Sequence, residues 1–153
     1  MIALLLMIIA PTVVAADGQW AALRQGSTCE AASTTLGSAY KDRAPARASI
    51  SFDAGGPRHG QFAARLSRLP RPGATVMLHV GDQPFLLMTK DDMAWSRGPK
   101  QERSIIAAMR TNGRMRVEAR SPGGGRIVDR YSLDGAPLAI DAAAACAAGL
   151  ANR

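Results

Sequence analysis

The chain has 153 residues, 47% apolar and 20% charged, and its 19 Lys and Arg against 12 Asp and Glu give a formal net charge of +7. Those values exclude a disordered or fibrous chain and describe one globular domain around a single core. The positive excess, nearly all of it arginine, points toward anionic partners, while an aromatic content of 5% offers few stacking platforms and argues against nucleic acid.

The first sixteen residues, MIALLLMIIAPTVVAA, are apolar throughout, and Val14 and Ala16 supply the small residues that flank a cut before Asp17. This is the pattern of a secretory signal peptide. A membrane anchor fits less well, because the run falls short of the roughly 20 residues of a spanning helix and Pro11 interrupts it. The expected organisation is a signal peptide over residues 1–16 and one domain over residues 17–153, periplasmic or secreted, with no transmembrane span in the mature chain. In that oxidising setting the only two cysteines, Cys29 and Cys146, can pair and close almost the whole domain. Chain entropy values such a loop at roughly 4 to 5 kcal/mol. Cys146 sits in the alanine run AAAACAAG and has no CxxC partner, so a structural bridge is expected rather than a redox or nucleophilic thiol.

Gly and Pro punctuate the chain at the spacing of short strands. Strands are predicted at Gln19–Leu23, Ser27–Ser33, Arg47–Phe52, Gln61–Leu69, Thr75–Val80, Gln83–Met88, Arg114–Arg120 and Ile127–Leu133. The clearest hairpin is VMLHVGDQPFLLM, where Gly81-Asp82 can take positive φ in a two-residue turn. PRPG at residues 70–73 reads as a connection, because prolines cannot donate to a strand ladder. One helix is predicted from Pro99 to about Arg110, with Ile105, Ile106 and Met109 on its buried face and Lys100, Gln101, Glu102 and Arg103 in a solvated first turn; Asn112-Gly113 stops it. A C-terminal helix follows from Pro137 to about Gly149, and its alanines suit close packing on a sheet.

The last hairpin carries the chemistry that can be read locally. A three-residue loop at Gly123-Gly124-Gly125 sets residue 121 against 127, 119 against 129, 117 against 131 and 115 against 133. Met115, Val117, Ala119, Ile127, Tyr131 and Leu133 then gather on one face with Asp129 as their only acid, and Glu118 faces Arg130 as a favourable pair. Asp129 is read as a structural acceptor. Arg114, Arg116, Arg120, Arg126 and Arg130 form the best candidate for an anion-binding surface. SPGGGR itself joins strand to strand, whereas a phosphate-cradling glycine loop leads from a strand into a helix.

No zinc-protease motif, paired Cys/His spacing or nucleophile elbow occurs, and no metal or cofactor is implied. Asp91-Asp92 falls short of a calcium loop. Of the two histidines, His59 belongs to a loop and His79 to a strand whose alternation puts Thr75, Met77 and His79 on one face and Val76, Leu78 and Val80 on the other, without deciding which is buried.

Several longer segments, LSRLPRPGATVML, GDQPFLLMTKDDMAW, IIAAMRTNGRMRVEARS and DRYSLDGAPLAIDAAAAC, together with Trp20 and Cys29, occur in an order that resembles the invasion-associated locus B family of small secreted proteobacterial proteins. RSPGGGR departs from it, with extra glycine where the family tends to have a shorter turn. The resemblance implies a mainly β chain: an immunoglobulin-like β-sandwich with one helix inserted between strands and a C-terminal helix, and a cysteine near each end of the domain. It implies no defined biochemical activity. The leading expectation is a non-enzymatic envelope or secreted binding module that meets anionic envelope or host-surface components, or another envelope protein. Its rivals are a periplasmic inhibitor or chaperone-like protein, and an enzyme with a loop-built site drawing on His79, Asp82 or Asp129.

Overall fold

The computed structural model describes residues 10–153; most of the expected signal peptide, residues 1–9, lies outside the described residues. In chain order the strands are β1 (Thr12–Asp17), β2 (Trp20–Gln25), β3 (Thr28–Thr34), β4 (Arg47–Asp53), β5 (His59–Arg65), β6 (Met77–Val80), β7 (Gln83–Leu86), β8 (Met88–Lys90) and β9 (Met93–Trp95), followed by helix α1 (Pro99–Thr111), β10 (Arg114–Arg120), β11 (Arg126–Ser132) and helix α2 (Ala136–Ala151). They build two antiparallel sheets, a seven-stranded one in the order β1-β2-β3-β4-β5-β9-β8 and a four-stranded one in the order β11-β10-β6-β7. The chain is therefore mainly β and sandwich-like, with one helix inserted between strands and one at the C-terminal end. No helix among the described residues is long and apolar enough to cross a membrane.

Alternation builds the core. Ala22, Ala31, Ile50 and Phe62 stand opposite one another across four strands of the large sheet, all fully buried. Leu78, Val117 and Asp129 form the matching inward row of the small sheet, and one cluster joins the apolar residues of both sheets and both helices. Fully burying a side chain such as Phe62 stabilises the fold by about 1.5–3 kcal/mol. Trp20 ties the sheets together: its ring is buried and its indole N–H donates to the Ser132 carbonyl at 2.8 Å. In α2, buried Ala136, Ala139, Ile140, Ala143 and Ala147 recur at helical spacing and present small side chains to β1 through β4. The helix is fastened there by the Cys29–Cys146 disulfide, with Cα atoms 6.1 Å apart. Gly135 opens the helix at φ +84°, and a Cβ there would come within 1.8 Å of the Asp17 carbonyl oxygen, so no other residue fits.

Three expectations are corrected. His59 begins strand β5 instead of lying in a loop. The predicted strand Gln83–Met88 breaks at buried Leu87, whose N–H donates to Val76; the chain then crosses from the small sheet to the large one as β8. From β8 the chain turns into β9 through Asp91-Asp92, where Asp tolerates the left-handed backbone that Asp91 adopts at φ +54°. Glu102 is not part of a solvated turn: it is buried and accepts from the Ser96 hydroxyl at 2.9 Å. Edge strand β1 lies on β2 with Val13 and Val14 exposed, and all of it but Asp17 falls within the expected signal peptide.

Candidate functional site

The β10–β11 hairpin carries the arginines, and its register decides how they meet. The observed pairs are Arg114 with Ser132, Met115 with Tyr131, Arg116 with Arg130, Val117 with Asp129, Glu118 with Val128, Ala119 with Ile127 and Arg120 with Arg126. The loop is Pro122-Gly123-Gly124, not the three glycines: the Ser121 N–H donates to the Gly125 carbonyl at 2.8 Å, and Gly124 takes φ +86°. The reason lies in the proline. Its fixed φ suits the first corner of a type I turn, and the glycine two places on supplies the left-handed residue that closes a three-residue hairpin. The difference from the expected register is an even number of residues, so every side chain keeps its expected face while every cross-strand partner changes.

Two consequences follow for the outer face. Arg130 opposes Arg116, a like charge, and not Glu118. Arg120 opposes Arg126 in the same way. Strand β6 adds His79 beside Arg116 and Met77 beside Glu118, which settles the strand face left open by alternation: Val76, Leu78 and Val80 point into the core and His79 points outward, half-buried.

Glu118 is the shared acceptor. Its Oε1 receives Arg116 Nε at 2.7 Å and Arg126 Nη2 at 2.7 Å, and its Oε2 lies 3.8 Å from His79 Nε2. Burial pushes the Glu118 carboxyl up, but the hydrogen bond and charge of Arg116, with Arg126 and His79, outweigh it and hold the group below its ordinary value. Arg114 and Arg130 have no ion pair among the described residues. A cavity of about 730 Å³ opens over this face, lined by Arg114, Arg116, Arg126 and Arg130 with Leu36, Asp82, Asn112 and Glu118. The structure thus brings together four of the five arginines singled out from sequence. Arg120 stands apart at the hairpin tip, where it donates to the Gly124 carbonyl at 3.3 Å.

A second cavity of about 340 Å³ adjoins the first, and Arg126 lines both. Its other walls include Thr35, Ser38, Tyr40, Ser67, Arg68 and Asp129. Residues 35–37 border both recesses and are held to β11 by the Leu36 N–H and the Thr35 hydroxyl, which both donate to the Arg130 carbonyl. Arg68 donates to the Arg126 carbonyl at 2.8 Å, and its guanidinium lies 5.0 Å from the Tyr40 ring centre, with the Lys41 ammonium at 5.2 Å. The hydrogen bond from Arg68, then that from Lys41, lower the Tyr40 phenol from its ordinary value.

Asp129 is buried and accepts the Ser67 N–H at 2.9 Å, the contact expected of a structural acceptor. Its charge, after burial itself, pushes the Tyr131 phenol above its ordinary value. The residues an enzyme would draw on do not share a recess: Asp82 lines the larger cavity, Asp129 the smaller, and His79 neither. Among the described residues no three His, Cys, Asp or Glu side chains gather as a metal-ligand set. Sequence reasoning missed Glu118 as a hub, His79 as its neighbour, and the Arg68–Tyr40–Lys41 group. Glu118 meets Arg116 and Arg126 within its own hairpin and so depends on the register, whereas His79 and Arg68 reach their neighbours from separate segments. No family model, curated protein or solved structure matches the chain.

Proposed function

We propose that this chain is a non-enzymatic binding module, exported to the periplasm or beyond after cleavage near Ala16, that captures an anionic envelope or host-surface component on the outer face of its small sheet. The reading includes the resemblance to the invasion-associated locus B family and its immunoglobulin-like sandwich. Cleavage there would remove all of β1 except Asp17 and leave β2 as the sheet edge, with the Cys29–Cys146 bridge formed in an oxidising compartment.

One observation carries the reading. Arg116 and Arg130 stand directly opposite each other over a large recess with Arg114 nearby, and of the two acids that line it Glu118 pairs with Arg116 and Arg126 while Asp82 forms no ion pair among the described residues. Like charges across a strand pair are destabilising, and an anion bound between them converts that repulsion into two charge-assisted hydrogen bonds. A merely solubilising surface would disperse its charges or pair them with acids.

The test is the double charge reversal Arg116→Glu with Arg130→Glu in the mature chain. Binding to immobilised acidic polysaccharide or to anionic vesicles at physiological salt is expected to fall by at least about tenfold, the equivalent of 1.4 kcal/mol. The thermal midpoint, followed in parallel, is expected to fall only modestly, because the reversed pair repels as the native pair does and Glu118 loses its bond from Arg116 but keeps that from Arg126. Unchanged binding with an intact fold would remove this face as the site.

A further inference from the structure

Resting on that reading, we infer that the two recesses meeting at Arg126 form one track for a linear acidic polysaccharide. The ligand class follows from the shape of the positive charge. Along β10, Arg114 to Arg120 spans six residue steps, about 20 Å at strand rise. The positive groups follow that line from Arg114 past the Arg116–Arg130 pair to Arg126, and then turn into the second recess at Arg68, with the Lys41 ammonium over the ring of Tyr40 that lines it. A compact anion engages one arginine pair and leaves the rest unused. A flat lipid surface does not enter two recesses, both of which residues 35–37 border. A flexible chain with an acid group at intervals can do both.

The remaining lining distinguishes a glycan from a nucleic acid. Hydroxyls of Thr35, Ser38 and Ser67 residues border the second recess, where sugar hydroxyls would find donors and acceptors. Single-stranded nucleic acid is held by successive aromatic platforms. Tyr40 is the one aromatic side chain of the second recess, and Arg68 and Lys41 already lie close to its ring. The acids along the track leave the positive charge in excess: Glu118 is matched by Arg116 and Arg126, Asp129 is buried on the Ser67 N–H, and Asp82 lies in the first recess alone.

The experiment uses size-graded sulfated glycosaminoglycan oligosaccharides, from a disaccharide to a dodecasaccharide, with inorganic sulfate and a single-stranded oligonucleotide of matched charge as comparators. The proteins are the mature chain and the double variant Tyr40→Ala, Arg68→Ala. Affinity is expected to rise with oligosaccharide length and to exceed that for the oligonucleotide. The double variant is expected to lose about tenfold with the longest chains while binding the disaccharide unchanged, because the disaccharide occupies the first recess alone. Arg68→Lys, which keeps the charge, separates lost attraction from lost support of the Arg126 carbonyl by restoring most of the long-chain affinity. Equal long-chain binding by the double variant and the native chain would overturn the track, as would tighter binding of the oligonucleotide. In either case the proposed function stands if Arg116→Glu with Arg130→Glu still abolishes binding of short anions. If no anion binds the native chain at all, both fall together.

Discussion

The two sheets differ in how their arginines share acids. Around the large sheet Arg47 meets Glu30, Arg58 meets Asp53 and Arg43 meets Asp92, each with an acid of its own, while Arg24 and Arg65 donate to the Gly26 and Pro45 carbonyls. On the small sheet Arg116, Arg126 and His79 share Glu118, while Arg114 and Arg130 have no ion pair among the described residues. The first pattern joins strands and turns to one another. The second leaves positive charge in excess over a recess, at a cost the fold accepts. Holding that surplus in register requires a rigid frame, and the large sheet with its bridge to α2 supplies it.

The largest way to break this comparison is to cut the frame. Replacing Cys29 and Cys146 with alanine removes a link across 117 residues, for which chain entropy gives about 5 kcal/mol. Urea unfolding is expected to show a loss of that order or somewhat smaller, with anion binding intact in whatever fraction stays folded. A variant as stable as the native chain would show that α2 is held by its alanine packing alone.

A paired arginine of the large sheet gives a smaller effect with a pH signature. Asp53 accepts from Arg58 Nε at 3.0 Å, Arg58 Nη2 at 2.8 Å, the Arg58 backbone N–H at 3.1 Å and the Thr28 hydroxyl at 2.9 Å. The Arg58 side-chain hydrogen bonds lead in holding its carboxyl at about 2, below its ordinary 3.8, against the opposing effect of burial. A carboxyl lowered in the folded state stabilises the fold above its unfolded pKa and loses that contribution as pH falls from about 4 through about 2. The shift alone corresponds to about 2 kcal/mol, reduced to about 1–2 by the solvent exposure of Arg58. Asp53→Asn is expected to cost that much at neutral pH and to flatten stability across the acid range. An unchanged acid limb in the variant would assign the dependence to other carboxyls.

How much of this contrast was legible beforehand depends on the range of the interactions. Helices α1 and α2, the Gly81-Asp82 turn and the burial of Asp129 follow from spacing within a few residues, and the structure has them. The partner of Arg130 does not follow, because shifting a hairpin by two residues preserves the alternation from which register is read. Pro122 carried the missing signal, since its fixed φ belongs at the start of the turn, but the three glycines after it drew the loop one position too far. Asp91-Asp92 was equally open to turn chemistry, through the tolerance of Asp for positive φ. The contact of β6 with β10, which brings His79 to Glu118, joins segments far apart in the chain and leaves no local trace.

The smallest effect sharpens the comparison most, because the two patterns give it opposite signs. Replacing a paired arginine of the large sheet removes an ion pair and should destabilise. Replacing Arg130 removes no ion pair among the described residues and relieves its opposition to Arg116. Arg130→Gln removes the charge but keeps an unbranched polar side chain with the same first three carbons over the same backbone. Thermal unfolding in low salt is therefore expected to show no loss, or a gain of about 0.2–0.5 kcal/mol, and the gain should shrink as salt screens the repulsion. Anion affinity should fall in the same variant. A loss of stability insensitive to salt would mean that Arg130 supports β11 through its packing. In that case the surplus charge on the small sheet would be a by-product of structure rather than the feature a ligand reads.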